Sequence, residues 1–389
     1  MRARLVTAML VVGCVAAAGC SVPGSGTGLP TASGRPTASP ARHPPSATSK
    51  AFLTQVNCGD TPADAGALQR AIDSSPSGSV IQIGGTCLLD RGIVLLPNRT
   101  YTGANRTGTV LKQDAAMPYV LASSAYVDNS ATTGSPLAIQ QLTVACSGRG
   151  NTDGIIIMNW QTDVQQVDVS NCGGDGIVDT SQTPNGATIG NTSVNSRFAD
   201  NFITGSGGSG FRVIDRGNSV TDGYLLDNRI ADSGGDAVLM DNAAGWDISG
   251  NHLYNDSSDG IMANRLYGTA ISGNYIEDFA SRRTAGQWYG IAGTVQGGNG
   301  STIFGNRIFN DLGETGSATH IYIGITSVNG RSGNIAVNGN AIRGAGPRDV
   351  ALSFSAGAGS LTVAAAGNVV TQVGTTARHF GAVHLSPGS

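Results

Sequence analysis

Aromatic and charged residues are scarce in this sequence: of its 389 residues, 5% are aromatic and 13% are charged. Few large side chains are therefore present to fill a wide core. The net charge is −3, so the chain lacks the basic field that would gather nucleic acid. No apolar run of about 18 residues follows the N-terminal segment, which excludes a polytopic membrane protein.

Glycine, in contrast, is abundant, with 57 residues, about twice its usual share. The glycines keep no three-residue period, which excludes collagen. The length would suit two or three ordinary domains, so internal repeats have to be sought before the chain is divided.

The N-terminus has the pattern of a secretory signal. A basic start is followed by an apolar stretch over residues 5–18 that is too short to cross a membrane. The ending Ala-Ala-Gly-Cys resembles the bacterial lipobox, which implies a lipoprotein signal peptide over 1–19 and lipidation of Cys20. The protein would then be extracytoplasmic and anchored to the cell membrane or surface through this lipid. Ordinary secretion with cleavage near Ala18 is the alternative.

Residues 20–50 consist almost entirely of Ser, Thr, Pro, Gly and Ala. Such a segment cannot bury enough apolar area to offset the chain entropy lost on folding. We expect it to be a disordered tether that holds a folded domain away from a membrane.

Four cysteines follow the tether, and four cysteines allow three disulfide pairings. Their spacing favours Cys58 with Cys87 inside an N-terminal module, and Cys146 with Cys172 one repeat apart. No Cys-x-x-Cys motif occurs, so a zinc site of that kind is not expected.

An asparagine followed two residues later by an aliphatic residue recurs through the second half of the chain. The intervals vary from 23 to 34 residues, which indicates one unit of about 23 residues with insertions. The repeating asparagines are Asn201, Asn228, Asn251, Asn274, Asn306, Asn340 and Asn368.

Short strands bounded by Gly, Asn, Asp and Ser run in phase with these asparagines, without a helical period between them. This pattern favours coils stacked on one another, in which each coil adds a strand to several parallel sheets and equivalent residues form ladders. Stacked asparagines would satisfy one another's amides at the bends. We expect an N-terminal cap and first coils over 51–125, coils over 126–375, and a C-terminal tail over 376–389.

The cap region reads differently from the coils. Asp60 and Pro62 suit the start of a helix, and Leu68 and Ile72 fall on one face of it before an end near Ser75. A helix there would cover the exposed edge of the first coil.

The segment from Asp60 to Asp73, with the following strands and Gly-Asn-x-aliphatic coils, resembles the pectate-lyase-like superfamily. The resemblance extends over about residues 51–375. It implies an all-β, single-stranded right-handed parallel β-helix with a short N-terminal capping helix. It says little about activity, because that superfamily includes polysaccharide lyases, glycoside hydrolases, epimerases, phage tailspikes and surface proteins without known catalysis.

An acidic residue often precedes the small residue that opens a strand. Asp153 and Asp175 are 22 residues apart, and Asp236 and Asp259 are 23 apart, so each pair would lie in adjacent coils. Adjacent coils are about 5 Å apart, which suits a carboxylate pair acting as acid and nucleophile. Asp175 and Asp236 would lie two coils apart, and this wider distance of about 10 Å suits an acid and a base with water between them. Crowded carboxylates can also hold Ca²⁺. The alternative is that each aspartate only forms a turn, since its side chain bonds nearby backbone N–H groups.

Other polar and aromatic groups fall in the same coils as this pair, and two neighbouring coils carry insertions after Asn274 and Asn306 that we expect to bulge beside the aspartates. The predicted catalytic residues are Asp236, Asp259, Asp241 and Asp175. The predicted substrate-binding residues are Trp246, His252, Tyr254, Arg265, Tyr267, Arg282, Trp288 and Tyr289.

The sequence therefore predicts a carbohydrate-active protein that cleaves a polysaccharide as a glycoside hydrolase or a lyase. A lyase would need a base such as Arg265 or Arg282 and often Ca²⁺; no cofactor or metal site is otherwise predicted. The alternative is a non-catalytic cell-surface module that binds glycan or spaces other components. The only membrane contact expected is the lipid anchor, and the oligomeric state is not predicted.

Overall fold

The computed structural model describes residues 52–313, 317–328 and 331–386. The predicted signal peptide (1–19), Cys20 and the tether (20–50) lie outside the described residues. Within those ranges, none of the helices combines the length and apolarity that a membrane crossing requires.

The described chain consists mainly of short strands. Its helices are α1 (Asp64–Ser74) and α2 (Ser124–Val127). Its strands are β1 (Leu53–Asn57), β2 (Val80–Leu89), β3 (Ile93–Leu95), β4 (Thr100–Gly103), β5 (Thr109–Gln113), β6 (Tyr119–Ser123), β7 (Ala138–Gln140), β8 (Thr143–Ala145), β9 (Asp153–Ile157), β10 (Asp163–Gln165), β11 (Asp168–Ser170), β12 (Ile177–Thr180), β13 (Ser193–Val194), β14 (Arg197–Ala199), β15 (Phe202–Thr204), β16 (Phe211–Ile214), β17 (Val220–Thr221), β18 (Tyr224–Leu226), β19 (Arg229–Ala231), β20 (Val238–Asp241), β21 (Asp247–Ser249), β22 (His252–Tyr254), β23 (Ile261–Leu266), β24 (Ala270–Ser272), β25 (Tyr275–Glu277), β26 (Gly286–Val295), β27 (Gly297–Phe304), β28 (Arg307–Phe309), β29 (Ala318–Ser327), β30 (Ser332–Asn338), β31 (Ala341–Ala364) and β32 (Val369–Leu385).

The strands wind as a coil with three sides, and each strand pairs in parallel with its equivalents one turn before and after. Sheet A contains β3, β6, β9, β12, β16, β20, β23, β26 and β29. Sheet B contains the first half of β2 with β4, β7, β10, β14, β18, β21, β24, β27 and β30. Sheet C contains the second half of β2 with β5, β8, β11, β15, β19, β22, β25 and β28. The long strands β31 and β32 bend through all three sides.

Each turn of the coil contributes one or two inward-pointing side chains from each sheet to a single continuous core. In one turn these include Val164 from sheet B, Val169 from sheet C and Ile177 from sheet A, none more than 1% exposed. Because three short strands enclose each layer, medium-sized aliphatic residues fill it, which explains why the sequence needs so few aromatics. The parallel β-helix predicted from the repeat is confirmed.

The repeating asparagines form a buried ladder at the corner between sheets B and C. The side-chain Oδ1 of Asn251 accepts hydrogen bonds from the backbone N–H and the Nδ2 of Asn228, both at 2.9 Å. Asn274 does the same for Asn251 at 3.0 Å. The ladder continues to Asn368, so every internal member satisfies a buried amide in the preceding coil.

Helix α1 covers the first coil, with Leu68 and Ile72 buried as predicted. The predicted start at Asp60 and Pro62 is wrong: Asp60 has a positive φ of 57° and the helix begins at Asp64. The Asp64 carboxylate accepts hydrogen bonds from the N–H and the hydroxyl of Thr61, at 2.8 and 2.9 Å. Asp64, rather than Asp60, therefore holds the turn that precedes the helix.

Both predicted disulfides are present and each joins neighbouring coils. The Cα atoms are 4.8 Å apart for Cys58 and Cys87, and 4.7 Å apart for Cys146 and Cys172. These separations match the spacing of parallel strands, so the bonds fix coil to coil.

The coil also continues beyond residue 375, where the sequence pattern places its end. Strand β32 runs to Leu385, and Arg378 lies opposite Ser353 of β31. The last Gly-Asn marker precedes β32, so no asparagine marks the strand's later residues as part of a coil.

Candidate functional site

Sheet A carries the aspartates that the sequence singled out, in one column on its edge, here called the acidic column. The stacking is shown directly by four hydrogen bonds, in which a backbone N–H donates to the aspartate side chain one coil earlier; the step to Asp236 follows from the strand register. Parallel neighbours lie about 4.8 Å apart, so Asp236 and Asp259 occupy adjacent coils as their spacing predicts. The members of the acidic column are Asp153, Asp175, Ser209, Asp236, Asp259 and Tyr289.

Burial perturbs three of the carboxyl groups in this column. Burial, with the nearby charge of Asp236, raises the pKa of Asp259 to about 7. Burial also raises the pKa of Asp236, and it raises the pKa of Asp153 to about 6. A carboxyl group that titrates near neutral pH can both donate and accept a proton in the working range of an enzyme.

Arg212 compensates the charge in the middle of the column. Its guanidinium Nη1 lies 3.1 Å from Oδ2 of Asp175, and both side chains are mostly shielded from solvent. The positive charge of Arg212 also opposes the rise in pKa at Asp153 and Asp236. Arg212 thus neutralises Asp175, while Asp259 lies two coils away from this positive charge and has a pKa of about 7.

Each aspartate of the column also has a structural contact. Oδ1 of Asp236 accepts the backbone N–H of Asp259 at 3.0 Å, and Oδ1 of Asp259 accepts that of Tyr289 at 2.7 Å. One oxygen of each carboxyl group therefore satisfies the next coil. At Asp236 and Asp259 this leaves Oδ2 for chemistry, whereas Oδ2 of Asp175 is paired with Arg212.

A groove of about 530 Å³ opens beside Tyr289, the last member of the column. Its floor is formed by small residues, because the Tyr289 ring lies against Gly324, where a Cβ would approach it to 2.4 Å. Hydroxyl groups of Thr294, Thr326 and Ser355 follow one another along its far side. The groove is lined by Met262, Asn264, Gln287, Tyr289, Ala292, Gly293, Thr294, Gly324, Ile325, Thr326, Ser353, Ser355, Arg378 and Phe380.

Arg378 gives the groove its positive charge. Its Nε donates a hydrogen bond to Oγ of Ser353 at 3.0 Å, and its guanidinium lies over the Phe380 ring, 5.4 Å from the centroid. Burial and the charge of Asp259 raise the pKa of Tyr289, and the charge of Arg378 opposes that rise. The charges of Asp259 and Arg378 therefore act on the Tyr289 phenol in opposite directions.

A second hollow of about 320 Å³ lies near the other end of sheet A, beside Asp153. Its lining includes Tyr126, Ile156 and Val178. Arg212 and Leu239, in register with Val178, continue the same outward-facing row toward the groove. The outer face of sheet A is thus a continuous track across several coils, with a hollow at each end.

Trp246 has to be removed from the predicted sugar-binding residues. It is only 1% exposed and packs in the core against Phe198 and Phe211, with ring centroids 6.3 and 5.9 Å away. Its ring fills the space left by Gly223 one coil earlier, where a Cβ would lie 2.6 Å from the indole.

His252 and Tyr254 lie on sheet C, on another side of the coil from the acidic column. Nε2 of His252 is 3.0 Å from Oε1 of Glu277, and the Tyr254 hydroxyl accepts a hydrogen bond from Arg229 at 3.0 Å. The structure therefore does not bring these two residues to the aspartates, although all belong to the same coils.

Arg265 and Tyr267 lie where sheet A turns into sheet B. Arg265 donates to Oε1 of Gln296 at 2.7 Å and to Oδ1 of Asn218 at 2.6 Å. Asp241 lies at the end of β20 and forms an ion pair with Arg216 at 3.0 Å. These residues border the outer face of sheet A. The contacts of Arg265 and Asp241 hold the turns at the ends of the strands.

The first predicted insertion forms an extension of sheet A. Residues of β26 before Tyr289 pair with the start of β29, so Trp288 lies opposite His320. Trp288 is half-buried against the core, and its Nε1 donates to the carbonyl of Thr284 at 2.9 Å. Arg282 is exposed. Of the residues predicted in this insertion, Tyr289 is the one that lines the groove.

The sequence did not indicate Arg212 or Arg378, whose positions depend on which coil residues face outward on sheet A. It also did not indicate a buried network in which Asp349 lies 3.1 Å from Nδ1 of His320 and accepts a hydrogen bond from the Tyr322 hydroxyl at 3.0 Å. His320 and Asp349 are 3% and 1% exposed, so we regard this network as part of the core. In the three described ranges, no cluster of three or more His, Cys, Asp or Glu residues is placed to hold a metal ion.

Comparison with known proteins points to the fold. No protein-family profile matches the chain, and no curated protein matches it. Among solved structures, the A-module of the Azotobacter vinelandii mannuronan C-5 epimerase AlgE6 has a TM-score of 0.55 at 16% identity, covering 84% of this chain and 96% of that one. The chain is a right-handed parallel β-helix protein.

Two further structures resemble this β-helix protein. Tailspike protein 2 of an Escherichia coli bacteriophage has a TM-score of 0.53 at 13% identity, covering 77% of this chain and 40% of the tailspike. A DFA-IIIase from Arthrobacter chlorophenolicus has a TM-score of 0.50 at 12% identity, covering 86% of each chain. At such identities the similarity concerns the fold alone.

Proposed function

We propose that this protein binds a polysaccharide along the outer face of sheet A and cleaves it beside Asp236 and Asp259. The observation that carries this proposal is the position of Asp259. Its carboxyl group has a pKa of about 7, lies in the coil next to Asp236 and accepts the backbone N–H of Tyr289, which lines the groove. A buried acid next to a second carboxyl group is the arrangement that glycoside hydrolysis requires.

In this mechanism Asp259 is the general acid, because it retains its proton near neutral pH. It protonates the oxygen of the leaving sugar. Asp236 either attacks the anomeric carbon as the nucleophile or, as the base, activates the water that attacks it. Adjacent coils separate equivalent residues by about 4.8 Å, closer to the ~5 Å carboxylate spacing of retaining enzymes than to the wider spacing of inverting ones. Tyr289 and the hydroxyl row of the groove hold the sugar that is bound next to the cleaved bond.

Cleavage by β-elimination is the other route that the same residues support. Arg378 would then neutralise a uronate carboxylate in the groove, and the Tyr289 phenol would move the proton. The two routes differ in their products, since only elimination creates a conjugated unsaturated uronate.

The similar structures support a carbohydrate ligand. One is named as a mannuronan C-5 epimerase and another as a DFA-IIIase, and both are similar in fold to this chain. The long outer face of sheet A, with a hollow at each end, suits an extended polymer better than a small compact ligand.

A second candidate function is glycan binding without cleavage. The specific observation in its favour is that Oδ1 of each column aspartate accepts a backbone N–H from the next coil at 2.6–3.0 Å. Aspartate could occupy these positions for coil stacking alone.

The test is a panel of neutral and acidic polysaccharides, assayed for new reducing ends and for unsaturated-uronate absorbance. The wild-type chain is compared with Asp259→Asn and with Asp153→Asn, which makes the same kind of backbone contact in the column but lies beside the other hollow. We expect Asp259→Asn to lower turnover about 100-fold or more, since acid–base catalysis contributes ~10²–10⁴. Asp153→Asn should remain active.

Full turnover by Asp259→Asn would overturn the assignment of the acid. Binding of a polysaccharide without any product would favour the second candidate.

We also propose that the protein works outside the cytoplasm, anchored through Cys20. Two disulfides between neighbouring coils fit an oxidising compartment. Metabolic labelling with a radioactive fatty acid tests the anchor: the wild-type chain should carry label and sediment with membranes, and Cys20→Ser should do neither. Equal labelling of both would exclude Cys20 as the lipidation site.

A further inference from the structure

Sheet A buries a carboxyl group in its core, where every other coil places an apolar or neutral residue. Asp179 faces inward in register with Ile157 of the preceding coil and Val213 of the following one. The residue is fully buried, and neither of its carboxylate oxygens has a well-formed hydrogen bond; the N–H of Thr180, next in the chain, is the donor that acts on it. A carboxyl group in this state costs several kcal/mol unless something neutralises it (about 2–7 for an unpaired polar group).

A second buried carboxyl group lies in the following coil. Asp215 is 1% exposed, and its Oδ1 accepts the backbone N–H groups of Ser219 at 2.7 Å and Gly217 at 3.2 Å. Its Oδ2 is buried without a partner. The charge of Asp215 acts on Asp179: burial and this charge raise the pKa of Asp179 well above its usual range.

A neutral oxygen in the preceding coil completes the group. Asn159 is fully buried, and its Nδ2 donates to the carbonyl of Ser135 at 2.5 Å, while its Oδ1 has no partner. The strand registers place Asn159, Ser181 and Asp215 in one stack, and Asp179 is two residues before Ser181. Asp179 therefore lies in the coil between those of Asn159 and Asp215, two residues before the stack that contains them.

These unpartnered atoms are all acceptors. No Lys, Arg or His of the described ranges forms an ion pair with Asp179 or Asp215, since Arg216, the nearest arginine in sequence to Asp215, is paired with Asp241. Both oxygens of Asp179, Oδ2 of Asp215 and Oδ1 of Asn159 are thus buried acceptors without a side-chain donor, and such a set is complementary to a cation.

We propose that Asp179, Asp215 and Asn159 bind one Ca²⁺ ion inside the coil. The ligands are hard oxygens, which favours Ca²⁺ or Mg²⁺ over zinc or copper. They come from three successive coils at differing distances along the sheet, and Ca²⁺ accepts such irregular geometry where Mg²⁺ demands an octahedron. This site is separate from the acidic column, because Asp179 faces the core and the column lies on the edge of the sheet.

The ion would act as a clamp. It would join three coils in the part of the chain that carries the outer face proposed to bind glycan, and it would replace the repulsion of two buried charges by attraction to a common centre. Binding to the folded chain alone also makes stability depend on the calcium concentration.

The experiment uses the full chain after removal of metal with a chelator that is then dialysed away. Titration with CaCl₂ in a calorimeter should show about one site per chain, and Ca²⁺ should raise the thermal unfolding midpoint. Asp179→Asn should weaken Ca²⁺ binding by more than about 100-fold, since loss of even an outer partner of a metal costs ~10–100-fold. The control Asp241→Asn removes a nearby acid that is paired with Arg216 and 20% exposed, and this variant should bind Ca²⁺ as the wild type does.

Absence of Ca²⁺ binding by the wild-type chain would overturn the proposal, as would equal binding by Asp179→Asn. If the two acids share a proton instead of binding an ion, the thermal unfolding midpoint will fall with rising pH and will not change with Ca²⁺. This result would also overturn the proposal. Should Asp179→Asn fail to fold, Asp215→Asn and the wild-type titration still decide.

Discussion

The buried carboxyl group of Asp259 leads to a prediction about stability that is independent of any substrate. Its pKa rises from 3.8 to about 7 on folding. Between these values the native state holds the proton more often than the unfolded chain does, so the free energy of unfolding falls as the pH rises from about 4 to about 7 and is constant above that. At 1.36 kcal/mol for each pH unit, the loss is about 4 kcal/mol.

Asp259→Asn removes this dependence and keeps an oxygen that can accept the Tyr289 N–H. Relative to wild type, the variant should gain stability with rising pH, up to about 4 kcal/mol more at pH 8.5 than at pH 4. The catalytic proposal thus predicts a variant that is more stable at alkaline pH and inactive, as expected for a residue retained for function.

The assay is urea unfolding of both proteins at half-unit steps from about pH 4 to 8.5. Asp153→Asn is the matched comparison. Burial raises the pKa of the Asp153 carboxyl group to about 6, so this variant should gain about 3 kcal/mol of unfolding free energy relative to wild type, and the gain should level off one pH unit earlier. A difference between wild type and Asp259→Asn that does not change with pH would refute the reasoning. A variant whose stability relative to wild type rises toward acidic pH would refute it as well.

Three further outcomes follow from the coil. Asn251→Ala leaves the buried amide groups of its neighbours unpaired and should cost about 3 kcal/mol of unfolding free energy by urea titration, whereas the exposed Asn264→Ala should change it by less than about 0.5. Replacing Cys146 and Cys172 by alanine opens a 26-residue loop and should cost about 3.5 kcal/mol in the same titration, and an unchanged midpoint would contradict this. Arg378→Ala should weaken binding of an acidic polysaccharide in calorimetry at least about tenfold and leave a neutral one unaffected, because a charge-assisted hydrogen bond contributes ~1.5–3 kcal/mol; equal loss for both would contradict the charge argument.

Spacing along the chain was sufficient to predict the coil and the acidic column. Asn251 and Asn274 are 23 residues apart, and Asp236 and Asp259 share that interval, so both pairs fall one turn apart whatever the details of the turns. A repeat fixes which residues stack, since each coil adds one strand to each sheet.

The side of the coil on which a residue lies was harder to predict. Asp236 and Tyr254 belong to the same coil but to different sides of it, since sheets A and C face different ways. Trp246 turns inward because Gly223 in the preceding coil leaves room for its ring, a dependence on three-dimensional neighbours that spacing does not reveal.

Which residues line the groove could not be predicted, because the sequence pattern did not give the lengths of the coils that form it. Arg378 reaches the groove because β32 continues the coil without an asparagine marker of its own in that part. Insertions before Tyr289 are used to lengthen β26, which places the tyrosine rather than Arg282 beside the groove.

The most direct test of the account is a crystal structure of Asp259→Asn with an oligosaccharide from a polymer that the wild-type chain cleaves. We predict a sugar chain lying along the outer face of sheet A between Arg212 and Arg378, with a glycosidic oxygen about 3 Å from the amide at position 259. An oligosaccharide bound to sheet B or sheet C, or one crossing sheet A far from this position, would contradict the assignment of the active site.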